Sequence, residues 1–146
     1  YECRNLTSAP ALPATVIAED CYHDMFRGCT SLTTAPALPA TTLALRCYQS
    51  MFDGCTSLTT APELPAAHMV ERCYHSMFSG CANINYLKCL AIDWYYDPDS
   101  DEFTTGWLNG VSATGTFVKA AGVSNWGNPG TYGSDGIPAG WTVVDA

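Results

Sequence analysis

Residues 29–54 read CTSLTTAPALPATTLALRCYQSMFDG, and residues 55–80 read CTSLTTAPELPAAHMVERCYHSMFSG. Eighteen of the 26 aligned positions are identical, so the two segments must sit in nearly the same environment. Residues 3–28, CRNLTSAPALPATVIAEDCYHDMFRG, are a third copy in register. A fourth opens at Cys81-Ala82-Asn83-Ile84 and then diverges. A period in the twenties, with Leu or Ile at one fixed place per copy, predicts a leucine-rich-repeat solenoid of the α/β class. Short parallel strands would line one side and helices the convex side.

The reading of one unit follows from local chemistry. Leu32-Thr33-Thr34-Ala35 is expected to be a short strand, ended by Pro36, which has no N–H to give to a ladder. Ala40-Thr41-Thr42 offers a helix entry with a Thr cap. Leu43, Cys47, Met51, Phe52 and Cys55 then fall on one helical face, and Gly54 supplies the stop. Stacked copies would turn repeated positions into core ladders. Leu6, Leu32, Leu58 and Ile84 form one, and Leu12, Leu38, Leu64 and Leu90 another. Phe26, Phe52 and Phe78 form a third, beside Met25, Met51 and Met77. At this spacing the Met, aromatic and Cys stripe reads as core, not as a cofactor box.

The pattern CYxxMFxGCxSLTxAPxLPA resembles the BspA-type leucine-rich repeats of surface and secreted proteins from anaerobic gut and oral bacteria. It is carried by Cys47-Tyr48, Met51-Phe52, Gly54-Cys55, Ser57-Leu58-Thr59 and Ala61-Pro62. The tail, with Gly106-Trp107-Leu108-Asn109-Gly110 and Gly136-Ile137-Pro138-Ala139-Gly140-Trp141, is similar to the segment that closes such arrays. The resemblance implies adhesion or contact with host or matrix, with no shared catalytic residues. It implies a bacterial chain that is secreted or held at the cell surface.

The expected organisation is therefore repeats over 1–92 (3–28, 29–54, 55–80 and a partial copy, 81–92), an acidic aromatic loop over 93–103, and a β-rich cap over 104–146. Trp107-Leu108, Thr116-Phe117-Val118 and Trp141-Thr142-Val143-Val144 read as short strands of the cap. Trp107, Phe117, Trp126 and Trp141 would cover the apolar end of the array. At the other end Cys3 follows no complete unit. Upstream repeats, or a partner covering Leu6 and Leu12, are expected there.

Composition narrows the function. Six Lys and Arg against 14 Asp and Glu give a formal charge of −8. Six scattered cations make no basic stripe, so nucleic acid is excluded as a partner. No run approaches the eighteen apolar residues that a membrane span needs. A hydrophobic share of 47% with 14% charged residues argues for an ordered core.

The eight cysteines stand at 3, 21, 29, 47, 55, 73, 81 and 89. Two readings stay open: bridges pairing 3 with 21, 29 with 47, 55 with 73 and 81 with 89, or free thiols buried in columns. No CxxC or HxxxH pair suggests zinc. Asp97, Asp99 and Asp101 are a weak calcium candidate, because Glu102 stands where a DxDxD loop would place glycine. A solvated acidic loop is the favoured reading of that run. Trp94, Tyr95 and Tyr96 could make an aromatic contact patch. His23 and His75 share a column with Gln49 two units apart, too far for joint metal binding, and His68 reads as a surface residue. Asn5-Leu6-Thr7 matches a glycosylation sequon, discounted because Leu6 is a core position.

No nucleophile, base and orienting group can be assembled, so no enzyme activity and no cofactor are expected. Thr7, Thr33, Thr59, Asn85 and Tyr86, with neighbours Ser8, Thr34 and Thr60, would line a hydroxyl-rich sheet face. The leading expectation is an interaction or adhesion module that binds a protein or glycan through that face. The alternative is a structural spacer that presents another domain.

Overall fold

The computed structural model describes residues 2–94, 103–124, 126 and 136–146. Among them there is no α-helix. Five short strands form: β1 (His68–Met69), β2 (Tyr86–Cys89), β3 (Asp93–Trp94), β4 (Gly115–Lys119) and β5 (Trp141–Asp145). Strand β1 pairs in parallel with β3, and β2-β4-β5 make a three-stranded parallel sheet. The expected α/β leucine-rich-repeat solenoid with convex helices is thus corrected: where helices were expected, the chain runs in successive turns.

The hydrogen bonds show why. From Asp20 to Gly28, every second N–H donates to the next copy: Tyr22 to the Cys47 carbonyl at 3.0 Å, Asp24 to Gln49 at 3.0 Å, and Phe26 to Met51 at 2.9 Å. The intervening N–H groups close turns three residues back, as His23 does to Asp20 and Met25 to Tyr22. The next copies repeat this, with Tyr48 donating to Cys73 and Tyr74 to Phe103. An α-helix would use all these donors internally and leave none to join neighbouring copies.

The turns need a left-handed residue at every fourth position. Asp20, Asp24 and Gly28 have φ of 54°, 56° and 71°. Arg46, Ser50 and Gly54 follow at 54°, 51° and 75°, and Arg72, Ser76 and Gly80 at 54°, 52° and 74°. Each non-glycine there costs about 1–2 kcal/mol relative to right-handed backbone. Gly28, Gly54, Gly80 and Gly110 lie one above another. Glu2, at φ 51°, stands one period before Gly28 and donates to Arg27 O at 2.7 Å, as Gly28 does to Asp53 O.

The core is built from the repeated columns. Leu32, Leu58 and Ile84 are fully buried, whereas Leu6, in the first copy, is only partly covered. Leu12, Leu38 and Leu64 are 9%, 3% and 0% exposed, so burial tightens as neighbours appear on both sides. Each such side chain contributes about 1.5–3 kcal/mol. The rings stack: Phe26 on Phe52 and Phe52 on Phe78, both at 5.6 Å. Beside them run Tyr22, Tyr48, Tyr74, Trp107 and Trp126.

The fourth copy departs in two places. It lacks the prolines of the earlier copies, so the chain keeps its N–H donors and forms β2. Leu64 now pairs with Cys89, and Cys89 is fully buried. Leu90, expected in the Leu12–Leu38–Leu64 column, is displaced by one residue and only half-buried. Beyond β3 the register lengthens: Phe78 N donates to Trp107 O and Gly80 N to Asn109 O. Trp107 and Leu108, expected as a strand, lie in turns that continue the stack. Thr116–Val118 and Trp141–Val144 lie within β4 and β5, where Tyr86 pairs with Thr116 and Thr116 with Thr142.

All eight cysteines are thiols, with only Cys3 and Cys21 exposed. The pairing of 3 with 21, 29 with 47, 55 with 73 and 81 with 89 does not form. Each partner of those pairs belongs to a different column. Cys55 Sγ donates to Phe26 O at 3.0 Å, and Cys81 Sγ to Phe52 O at 3.1 Å. Burial pushes the Cys47 thiol up to about 11 and the Cys55 and Cys89 thiols up to about 12.

Candidate functional site

The repeated stretch after each Gly-Cys forms the candidate surface. Leu32, Leu58 and Ile84 point into the core and fix the backbone that carries their neighbours. Thr7, Ser8, Thr33, Thr34, Thr59, Thr60, Asn85 and Tyr86 are all exposed. Both members of each adjacent pair face solvent, because in the first three copies only the second residue enters a ladder bridge: Ser8 with Thr34, and Thr34 with Thr60. Strict strand alternation, which would have buried one of each pair, does not apply there. The five expected positions Thr7, Thr33, Thr59, Asn85 and Tyr86 are all exposed.

The backbone beneath is tied across copies. Thr59 N donates to Thr33 O at 3.1 Å, and Thr59 Oγ1 reaches the same carbonyl at 3.2 Å. Asn83 Nδ2 caps Thr56 O at 2.9 Å. Thr116 N donates to Asn85 O at 2.9 Å. Two ladders result: Ser8, Thr34 and Thr60 in the first three copies, and Tyr86, Thr116 and Thr142 across β2, β4 and β5. Thr142 is exposed and Thr116 half-buried. The 26-residue register could not reveal these two, because the fourth copy is longer and its offset from β2 to β4 is 30 residues.

The electrostatics separate two sides of each copy. From Cys29 to Pro36, Cys55 to Pro62 and Cys81 to Leu87 no residue is charged. The turns carry the charge instead. Arg46 Nε holds Asp20 at 2.9 Å and its Nη2 holds Glu19 at 3.1 Å, while Arg27 pairs with Asp53 at 3.0 Å. The Arg46 guanidinium lowers the Asp20 carboxyl below its usual range. Lys88 and Glu63 pair at 3.1 Å beside β2.

The other candidates lie apart. His68, exposed as expected, meets Asp93 across β1 and β3, Nδ1 to Oδ1 at 2.6 Å. His23 lies 3.4 Å from Asp20 and 3.6 Å from Asp24. Among the described residues no three His, Cys, Asp or Glu are grouped to hold a metal ion. Trp94 ends β3, whereas Tyr95, Tyr96, Asp97, Asp99 and Asp101 lie outside the described residues. Among the described residues no helix is long and apolar enough to cross a membrane. No protein-family model matches this chain, and no curated protein or solved structure matches it either.

Proposed function

We propose that this chain is a non-catalytic interaction module, secreted or displayed at a cell surface, that holds a protein or glycan against the strip from Thr7 to Tyr86. One observation carries the reading: the strip is uncharged across three copies of a chain with formal charge −8. Its side chains are exposed, while its backbone is pinned by neighbouring copies. A rigid, regularly spaced set of hydroxyls loses little entropy on binding, so many weak contacts can add. The resemblance of the repeat to BspA-type arrays points the same way.

The test is a binding survey with the immobilised chain against extracellular proteins and a glycan array. The double variant Thr34→Lys/Thr60→Lys places two charges on the strip without touching the core. Partners captured by the native chain and lost by this variant support the reading. Partners retained in full by the variant, or none captured at all, would favour a spacer that presents another domain.

A further inference from the structure

We propose that Asn109 is a self-modifying site: in the folded chain its side-chain amide is displaced by the Gly110 nitrogen, and a carboxylate takes its place. Asn109-Gly110 is the single Asn-Gly pair in the sequence. Both residues are exposed. The reaction needs water and no second protein. Gly110 N attacks Asn109 Cγ, the Cγ–Nδ2 bond breaks, and the proton from Gly110 N leaves with the amide as ammonia. A five-membered succinimide remains. Water then opens it at either carbonyl, which leaves an aspartyl or an isoaspartyl residue at position 109. A side chain on the following residue would crowd the attack, and Gly110 has none.

The stack selects this position. For the attack, the peptide group between the two residues must swing, so the bonds that hold that group control it. Four such groups precede a left-handed glycine: Arg27-Gly28, Asp53-Gly54, Ser79-Gly80 and Asn109-Gly110, with glycine φ of 71°, 75°, 74° and 73°. The first three are bonded at both atoms. Arg27 O accepts from Glu2 N, and Gly28 N donates to Asp53 O, both at 2.7 Å. Gly54 N donates to Ser79 O at 2.8 Å, and Gly80 N to Asn109 O at 2.7 Å. The fourth group is bonded at one atom. Its carbonyl answers Gly80, whereas among the described residues no acceptor meets Gly110 N. The nucleophile is therefore left to solvent only in the last turn. Asn5, Asn83 and Asn85 precede Leu6, Ile84 and Tyr86, whose side chains stand in the way. Asn83 Nδ2 is also held by Thr56 O at 2.9 Å. An isoaspartyl residue would insert one carbon between Gly110 and the turn that Asn109 N closes on Gly106 O. Conversion thus loosens the last turn as well as charging it.

The experiment holds the intact chain at mildly alkaline pH, natively and in urea. Peptide mass mapping and enzymatic methylation of isoaspartyl groups follow each asparagine. In the native chain position 109 is expected to convert first, adding one negative charge to the formal −8, which ion exchange resolves. Asn109→Gln lengthens the side chain by one methylene and should abolish the change. Asp53→Asn creates a second Asn-Gly pair where the peptide group is bonded at both atoms. In that variant position 53 should convert about tenfold more slowly than position 109 in the native state and at a similar rate in urea. The native chain's own readout stands whether or not the variants fold, and equal urea midpoints show that they do. Asn109 keeping its amide in the native chain while losing it in urea would overturn the proposal. Equal native rates at positions 53 and 109 would overturn it too.

Discussion

Replacing Ser50 by glycine should stabilise this protein, the opposite of what a helix would show. Ser50 lies in the middle of the turns, at φ 51°. Left-handed backbone costs an L-residue about 1–2 kcal/mol, which glycine does not incur. Glycine also loosens the unfolded chain, at about 0.4–1 kcal/mol. The difference leaves a net gain of about 0.5–1 kcal/mol, or a rise of roughly 2–3 °C in Tm for a domain of this size. Ser50→Ala keeps a Cβ at the strained position, so it should change little. In an α-helix the order inverts, because glycine would lower stability by about 0.5–1 kcal/mol relative to alanine. Urea unfolding followed by tryptophan fluorescence gives both values. If Ser50→Ala proves more stable than the native chain and Ser50→Gly less, the turn geometry is wrong and the helix expectation returns.

Other outcomes follow from the same packing. Phe52 stacks on two rings and Phe26 on one copy neighbour, so Phe52→Leu should cost about 1 kcal/mol more than Phe26→Leu in urea unfolding. A Cβ on Gly115 would lie 2.4 Å from Asn85 O and 2.7 Å from the Trp141 ring, so Gly115→Ala should cost about 2 kcal/mol or more and lower Tm measurably. Only Cys3 and Cys21 should react with a thiol reagent in the native chain, against all eight after unfolding; rapid labelling of Cys47 would contradict its burial. Buried thiols resist an ionisation that the unfolded chain undergoes freely. Their support is therefore intact below the ordinary thiol range and is lost as pH rises through it, toward the raised values near 11 and 12. By pH 10 the loss should be on the order of 1 kcal/mol per buried thiol, read as a falling urea midpoint that Cys47→Ala lessens.

The columns were readable from sequence because identical residues at a fixed period must share an environment. Leu32, Leu58 and Ile84, and the three phenylalanines, are where repetition places them. The secondary structure was not readable in the same way. Cys47, Met51 and Cys55 recur every four residues, and over ten residues a four-residue turn cycle cannot be told from a helix of 3.6. What separates the two is the sign of φ at Arg46 and Ser50, and neither side chain advertises it as glycine would. Tyr86 and the threonines of the candidate surface were visible through repetition. Thr116 and Thr142 were hidden because the longer fourth copy breaks the period. Leu90 slipped because losing the prolines changed the geometry, a substitution whose effect lies in the backbone and not in hydrophobicity.

The one-way bonds between turns carry a further implication. The Tyr22 backbone N–H donates to the Cys47 carbonyl, and that of Tyr48 to the Cys73 carbonyl, in the same geometry. Excising residues 29–54 would bring Tyr22 against Cys73 with the turn donors from Asp20 to Gly28 still answered, and duplicating them would add one like rung of turns. The turns are in this sense modular along a single axis: whole units could be added or removed with the backbone bonds of the turns kept, and only surface pairs such as Arg27 with Asp53 would change.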